Sequence, residues 1–350
     1  MNNKITAIAV AAALTAPMFA VEAAPQVYGR VQAEYASTSN SATGTTDKDY
    51  VVDNKMGRFG FKGSEDLGGG LKAIYLIEFG IEGTNTTSGG TSGGDIFDRE
   101  SMVGLKIGKN HTIQAGALKS PYKYSGGVKY DTFVATSLQA REGSTNVGAS
   151  GGAMSGSALG HGSFLSDSVA YIGNFKPVKV WFATSALDDS TDDTPVTTLA
   201  VSAKVNAFHF GVSLLERDTC TAATGSNCTG TTTGIESTKL FGSWSKGQHT
   251  VRLQLEDVDT QTAAGVNSGN TEFMYLNYQF KMGKHLVDVA VGEKDQDATA
   301  GNVDEDYTRL AYAYNFSKKT RVFAGIAESD VSTSGANDWD TFSVGMTVKF

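Results

Sequence analysis

Apolar and polar residues alternate one by one through most of this chain, in segments separated by turn-rich gaps. The cleanest segment is Val251-Arg252-Leu253-Gln254-Leu255-Glu256. Successive side chains of an extended strand point to opposite sides, so Val251, Leu253 and Leu255 share one face and Arg252, Gln254 and Glu256 share the other. The last segment behaves alike: Phe342, Val344, Met346, Val348 and Phe350 oppose Ser343, Gly345, Thr347 and Lys349. Val27-Tyr28-Gly29-Arg30-Val31-Gln32-Ala33-Glu34 repeats the pattern near the start.

Such alternation suits any half-buried antiparallel sheet; the gaps narrow the choice. Tight gaps fall at residues 64–70, 108–110, 176–177, 245–247, 281–284 and 317–318, and long polar ones at 38–49, 82–95, 217–237, 259–270 and 295–305. Short and long gaps take turns, as the periplasmic turns and extracellular loops of a transmembrane barrel do. A soluble sandwich has no reason to put every long loop at one end. The count predicts an all-β fold: a sixteen-stranded antiparallel transmembrane β-barrel with seven short turns and eight long loops. An even count leaves both termini on the periplasmic side, and closure removes edges that lipid could not hydrogen-bond. The longest gap, residues 120–167, contains Gly126-Gly127, the run 148–152 and Gly156. A barrel of this width leaves an aqueous lumen, and the third loop is expected to fold into it.

The first 23 residues read as a secretory signal peptide: Lys4, an apolar stretch at residues 5–16 too short to span a bilayer, then Val21-Glu22-Ala23 before the cleavage point. One domain, residues 24–350, follows. It holds no apolar run of ~18 residues, hence no candidate transmembrane helix. The formal net charge of −8 argues against a nucleic-acid partner. Export permits a disulfide between Cys220 and Cys228, which would close a surface loop; a pair of unbonded thiols is the alternative. No histidine lies near them, so a metal site is poorly supported. Gly148-Ala149-Ser150-Gly151-Gly152 matches G-x-S-x-G but sits in a Gly/Ser-rich loop rather than between a strand and a helix. The five histidines fall mostly near short turns with no nucleophile beside them. Acidic loop clusters (Asp188-Asp189 with Asp192-Asp193, and Asp295, Asp297, Asp304, Glu305, Asp306) read as solvated charge, although carboxylates could take divalent cations and bridge to lipid A phosphates. No cofactor is implied.

Four stretches resemble the Gram-negative general porin family: Val27-Tyr28-Gly29-Arg30, the strand-turn-strand at residues 57–73, Arg99-Glu100-Ser101-Met102-Val103-Gly104-Leu105, and the closing strands at residues 312–320 and 344–350. The resemblance implies passive diffusion of small hydrophilic solutes and ions, a homotrimer in outer-membrane lipid and lipopolysaccharide, and a third loop that narrows the pore with acids facing a basic wall. One departure stands out. Residues 120–167 hold Asp131, Glu142 and Asp167 against Lys123, Lys129 and Arg141, so the usual strongly acidic loop is absent.

Parity assigns the lumen side. If Phe59 and Phe61 face lipid, Arg58 and Lys62 face the pore, and Arg30, Lys72, Lys106, Arg252 and Arg309 do likewise. A cation on the lipid side at mid-bilayer would cost about 2–4 kcal/mol. Arg30, Arg58, Lys62 and Arg99 are the expected constriction cations, with Asp131 and Glu142 opposite and Lys106 lining the pore; Lys72 belongs to a vestibule. Strict parity puts Arg99 on the lipid side, so its place in the pore requires a bulge. A weak anion preference follows. A barrel enzyme is the competing class and would be narrower, with a catalytic cluster at the outer rim; an adhesin role for the long loops is compatible with a channel. Phe350 is expected to anchor the last strand at the interface and, as in the family, to mark the chain for assembly.

Overall fold

A computed structural model describes residues 24–40, 48–52, 56–81, 96–140, 164–185, 195–218, 220–221, 231–232, 234–262, 266–298, 302–332 and 338–350. The signal-peptide reading, Glu142, Cys228, the side chain of Cys220, Asp188-Asp189 with Asp192-Asp193, and the G-x-S-x-G stretch lie outside these residues.

The strands of the first half are β1 (Gln26–Asn40), β2 (Lys48–Val52), β3 (Gly57–Gly68), β4 (Leu71–Ile81), β5 (Ile96–Ile107), β6 (His111–Leu118), β7 (Leu165–Phe175), β8 (Val178–Ser185), β9 (Val196–Val205) and β10 (Phe208–Arg217). A two-residue hairpin, β11 (Cys220–Thr221) with β12 (Thr231–Thr232), stands apart from the main sheet. The second half comprises β13 (Gly234–Lys246), β14 (His249–Gln261), β15 (Asn267–Met282), β16 (His285–Ala298), β17 (Glu305–Asn315), β18 (Thr320–Val331) and β19 (Trp339–Lys349). Two one-turn helices, α1 (Pro121–Tyr124) and α2 (Gly127–Tyr130), follow β6.

The pairing is antiparallel throughout, and β1 closes on β19, from Arg30 opposite Lys349 to Asn40 opposite Trp339. β2 and β3 both pair with β1, at opposite ends of it, so together they occupy one position in the wall. Seventeen hydrogen-bonded segments therefore make sixteen barrel positions, as the sequence predicts. The seventh short turn is at Asn206-Ala207, where Asn206 takes φ 53°; asparagine tolerates this left-handed conformation better than most residues.

Burial is inverted relative to a water-soluble fold. Val31, Val103, Leu240, Leu310, Ile326 and Phe342 are exposed on the outer wall. Glu34, Lys239, Asn277, Asp288 and Arg309 are buried on the inner one. A continuous apolar exterior would be an aggregation liability in water and is the favourable surface in hydrocarbon. At the short-turn end, His111, His249 and His285 each pair through Nδ1 with a cross-strand tyrosine hydroxyl (Tyr171, Tyr278 and Tyr312, 2.7–2.8 Å) and form part of an outer aromatic rim.

The terminus completes the closure. The Phe350 amide donates to the Gly29 carbonyl at 3.0 Å, and the Gly29 amide to the Phe350 carbonyl at 3.3 Å. A Cβ at Gly29 would lie 2.3 Å from the Phe350 ring, so only glycine lets that ring lie against β1. Phe350 is exposed on the same face as Phe342, Val344 and Met346.

Candidate functional site

The third long connection turns into the lumen after β6, and its described part, residues 119–140, is held to the inner wall at three places. The first anchor is α1. The Ser120 side chain caps it by accepting from the Lys123 amide at 3.4 Å, and Pro121 suits its first turn. The Tyr122 hydroxyl donates to Glu256 on β14 at 2.6 Å. The fully buried Lys239 on β13 lies 3.7 Å from the Glu256 carboxylate and 3.9 Å from the Tyr122 ring centre. Burial and the Glu256 charge push the Tyr122 phenol well above its usual range, so it stays a donor. Gly126 then takes φ 77°, and the Gly127 amide donates to Gln254 at 2.5 Å. A Cβ at Gly126 would meet that same Gln254 oxygen at 2.9 Å, a second reason for glycine there.

The second anchor is ionic. Arg309 on β17 is fully buried and forms 2.8 Å ion pairs with Asp131 and with Asp288 on β16. It also donates to the Leu138 carbonyl at 2.9 Å and the Tyr275 hydroxyl at 3.1 Å, while Tyr307 donates to Leu138 at 2.7 Å. Asp131 accepts from the amides of Phe133 (3.0 Å) and Ala140 (2.9 Å), which folds the loop back on itself. At the third anchor, Gln32 on β1 donates to the Ala135 carbonyl at 2.8 Å, and Glu34 accepts from the Ser137 amide at 3.1 Å. The loop thus follows the inner wall from β13 round to β1.

The wall beyond those anchors is basic. Arg30 on β1 and Arg58 on β3 both donate through Nε to the Met56 carbonyl, at 3.0 and 3.4 Å. Glu78 on β4 joins Arg58 (3.5 Å) to Arg99 on β5 (2.7 Å) and accepts from Tyr28 at 3.0 Å. Three guanidinium cations against one carboxylate leave two positive charges in this network. Arg99 reaches it through a register shift between β4 and β5. Ile77 pairs with Ser101 but Phe79 with Asp98, so Arg99 and Glu100 together oppose Glu78. A bulge of this kind turns two consecutive side chains to the same face: Arg99 meets Glu78, and Glu100 meets Lys119.

The geometry revises two expected constriction residues, Asp131 and Lys62. Asp131 does not oppose the arginines across open water; it is 3% exposed and neutralised at the root of the loop. Its carboxylate is taken up by two backbone amides and an ion pair, because an unpaired carboxylate there would be too costly to bury. Lys62 and Lys106 face the lumen, but they line a separate cavity nearer the short turns that contains none of the three arginines. Arg30, Arg58 and Arg99 do come together. Sequence reasoning missed Glu78, Glu100, Asp288 and Lys239. Parity carried a signal for two of them: Asp288 is flanked by outward Val287 and Val289, and Lys239 precedes outward Leu240. No candidate metal cluster occurs among the described residues.

The chain matches the Gram-negative porin family over residues 6–334. It is 38% identical over 125 residues to the major outer membrane protein P.IB of Neisseria gonorrhoeae, covering 35% of this chain and 32% of that protein. The match therefore spans about a third of that curated relative's length. Among solved structures, the anion-selective porin of Comamonas acidovorans superposes with a TM-score of 0.71 at 19% identity, over 93% of this chain and 99% of that one. The trimer form of the Vibrio cholerae outer membrane protein OmpT superposes at 0.67 and 13% identity, over 93% and 99%. At those identities the superpositions speak to the fold.

Proposed function

Because this chain belongs to the Gram-negative porin family, we propose that it forms a water-filled outer-membrane channel through which small hydrophilic solutes and ions diffuse passively, with a preference for anions. Channel selectivity follows from pore width and the charges that line it. The observation that carries the anion preference is the Arg30–Arg58–Arg99 network, whose single counter-charge among the described residues is Glu78. The acid that would balance it from the loop, Asp131, is spent on Arg309. An anion near the arginine wall therefore meets uncompensated positive charge. The anion-selective Comamonas porin supports the preference, the P.IB relatives support an outer-membrane location, and the trimeric Vibrio structure supports a homotrimer; contact with membrane lipid and lipopolysaccharide follows from the apolar outer wall. A channel rather than an enzyme fits the family. The test is conductance of the refolded protein in planar bilayers: stepwise insertions with ohmic open current are expected, and a reversal potential in a salt gradient on the anion-selective side. Sealed bilayers with confirmed insertion would overturn the channel; a cation-selective potential would overturn the preference.

A further inference from the structure

Between the arginine wall and the short turns, the inner faces of β3 to β8 line an open cavity of about 740 Å³. Its chemistry is two-sided. Lys62, Lys106 and Lys179 line it, and among the described residues no carboxylate does. None of these three amines is ion-paired among the described residues. Lys62 rests 4.9 Å from the Tyr28 ring centre and Lys179 4.4 Å from that of Trp181, positions that hold the chains without neutralising them. Beside the amines, Leu76, Met102 and Ile172 also line the cavity. The register makes these groups neighbours: Lys62 opposes Leu76, Leu76 opposes Met102, Lys106 opposes Thr112, Thr112 opposes Ile172, and Asn174 opposes Lys179.

Elsewhere on the inner wall apolar side chains such as Phe241 and Phe323 are buried against Tyr130 and Phe133 of the third loop, whereas Leu76, Met102 and Ile172 are only half-buried and line this cavity. In a water-filled pore an apolar patch gains nothing from water, and exposed ammonium groups alone hold a simple ion weakly. A ligand that satisfies both has a carboxylate at one end and a hydrocarbon body at the other. The volume lies within the usual range for small-molecule sites.

We propose that this cavity is a binding station for small organic anions with an apolar body, that is, alkyl or aromatic monocarboxylates, at the short-turn end of the pore. The electrical test rests on the channel reading above; the binding test does not. In single-channel recordings with chloride as the charge carrier, benzoate should interrupt the open current at lower concentration than acetate. Each buried methylene-sized group is worth roughly a factor of three to four in affinity, so the two should differ by tenfold or more. Lys106→Gln should weaken the block by both anions together. Met102→Ser should weaken benzoate toward the acetate level and leave acetate unchanged. Equal block by acetate and benzoate, or a benzoate block indifferent to Met102→Ser, would overturn the station while leaving the channel standing. Ligand-observed NMR on the detergent-solubilised protein provides a readout without conductance. Saturation transfer to benzoate, reduced by Lys106→Gln and by Met102→Ser, is expected. Its absence in the wild-type protein would overturn the station even if no current were ever recorded.

Discussion

Reversing one charge in the arginine wall should shift selectivity by an amount the geometry allows us to work out. Arg58 is mostly buried, bonded to the Met56 carbonyl and 3.5 Å from Glu78. Arg58→Glu converts three cations and one anion into two of each, a change of two charges. For an ion passing ~6 Å away in water-like dielectric, two charges are worth about 1.4 kcal/mol before screening. At 0.1 M salt the Debye length of about 10 Å reduces this to roughly 0.8 kcal/mol. That is about a fourfold fall in anion occupancy and a similar rise for cations, hence on the order of a tenfold change in the permeability ratio. Arg58→Gln removes one charge and should give about the square root of that change. The assay is the reversal potential in a potassium chloride gradient, with Arg252→Gln on the opposite wall as a control for charge changes elsewhere. Variants that insert, open and keep the wild-type reversal potential would refute the placement of Arg58 where ions pass.

Replacing Arg309 with Met leaves Asp131 and Asp288 buried without their cation; a loss of about 3–5 kcal/mol is expected, seen as a lower thermal midpoint in detergent and noisier open current as the loop loosens. Adding Asp131→Asn and Asp288→Asn should recover much of that stability. The Tyr122 phenol is raised above its ordinary value of 10.0 by burial and Glu256, so its contribution is complete below that pH and is lost as pH rises through the elevated folded value. Thermal melts above pH 10 should therefore fall more steeply for the wild type than for Tyr122→Phe, which begins lower by about 1–3 kcal/mol for the bond withheld from buried Glu256; parallel curves would contradict this. Gly126→Ala should destabilise the loop, because φ 77° and the 2.9 Å approach to Gln254 both exclude a methyl group; an unchanged melting point would refute that. Deleting Phe350 removes both backbone bonds to Gly29 and should reduce the assembled fraction in cells far more than it alters the conductance of barrels that do form.

The chain's alternation alone determined that this is a sheet with one apolar and one polar face, that short and long connections take turns, and that sixteen wall positions close a barrel. These properties are local: period two, turn residues and segment length are all read within a few residues of one another. The same parity assigns Arg30, Arg58 and Arg309 to the inner face, because a cation on the lipid side would be costly. Tertiary structure decided which of those inward charges meet. Asp131 looks like a free pore acid in sequence because nothing local says that Arg309, 178 positions away, is waiting beneath it. Arg99 faces outward by strict parity and inward in fact, because the bulge depends on how β4 registers with β5. Lys62 lies two turns of the same alternation from Arg58 yet opens into a different cavity, since a barrel wall separates residues by height as well as by face. Face is a property of the strand and therefore of the sequence; height, register and the partner across the lumen belong to the closed barrel.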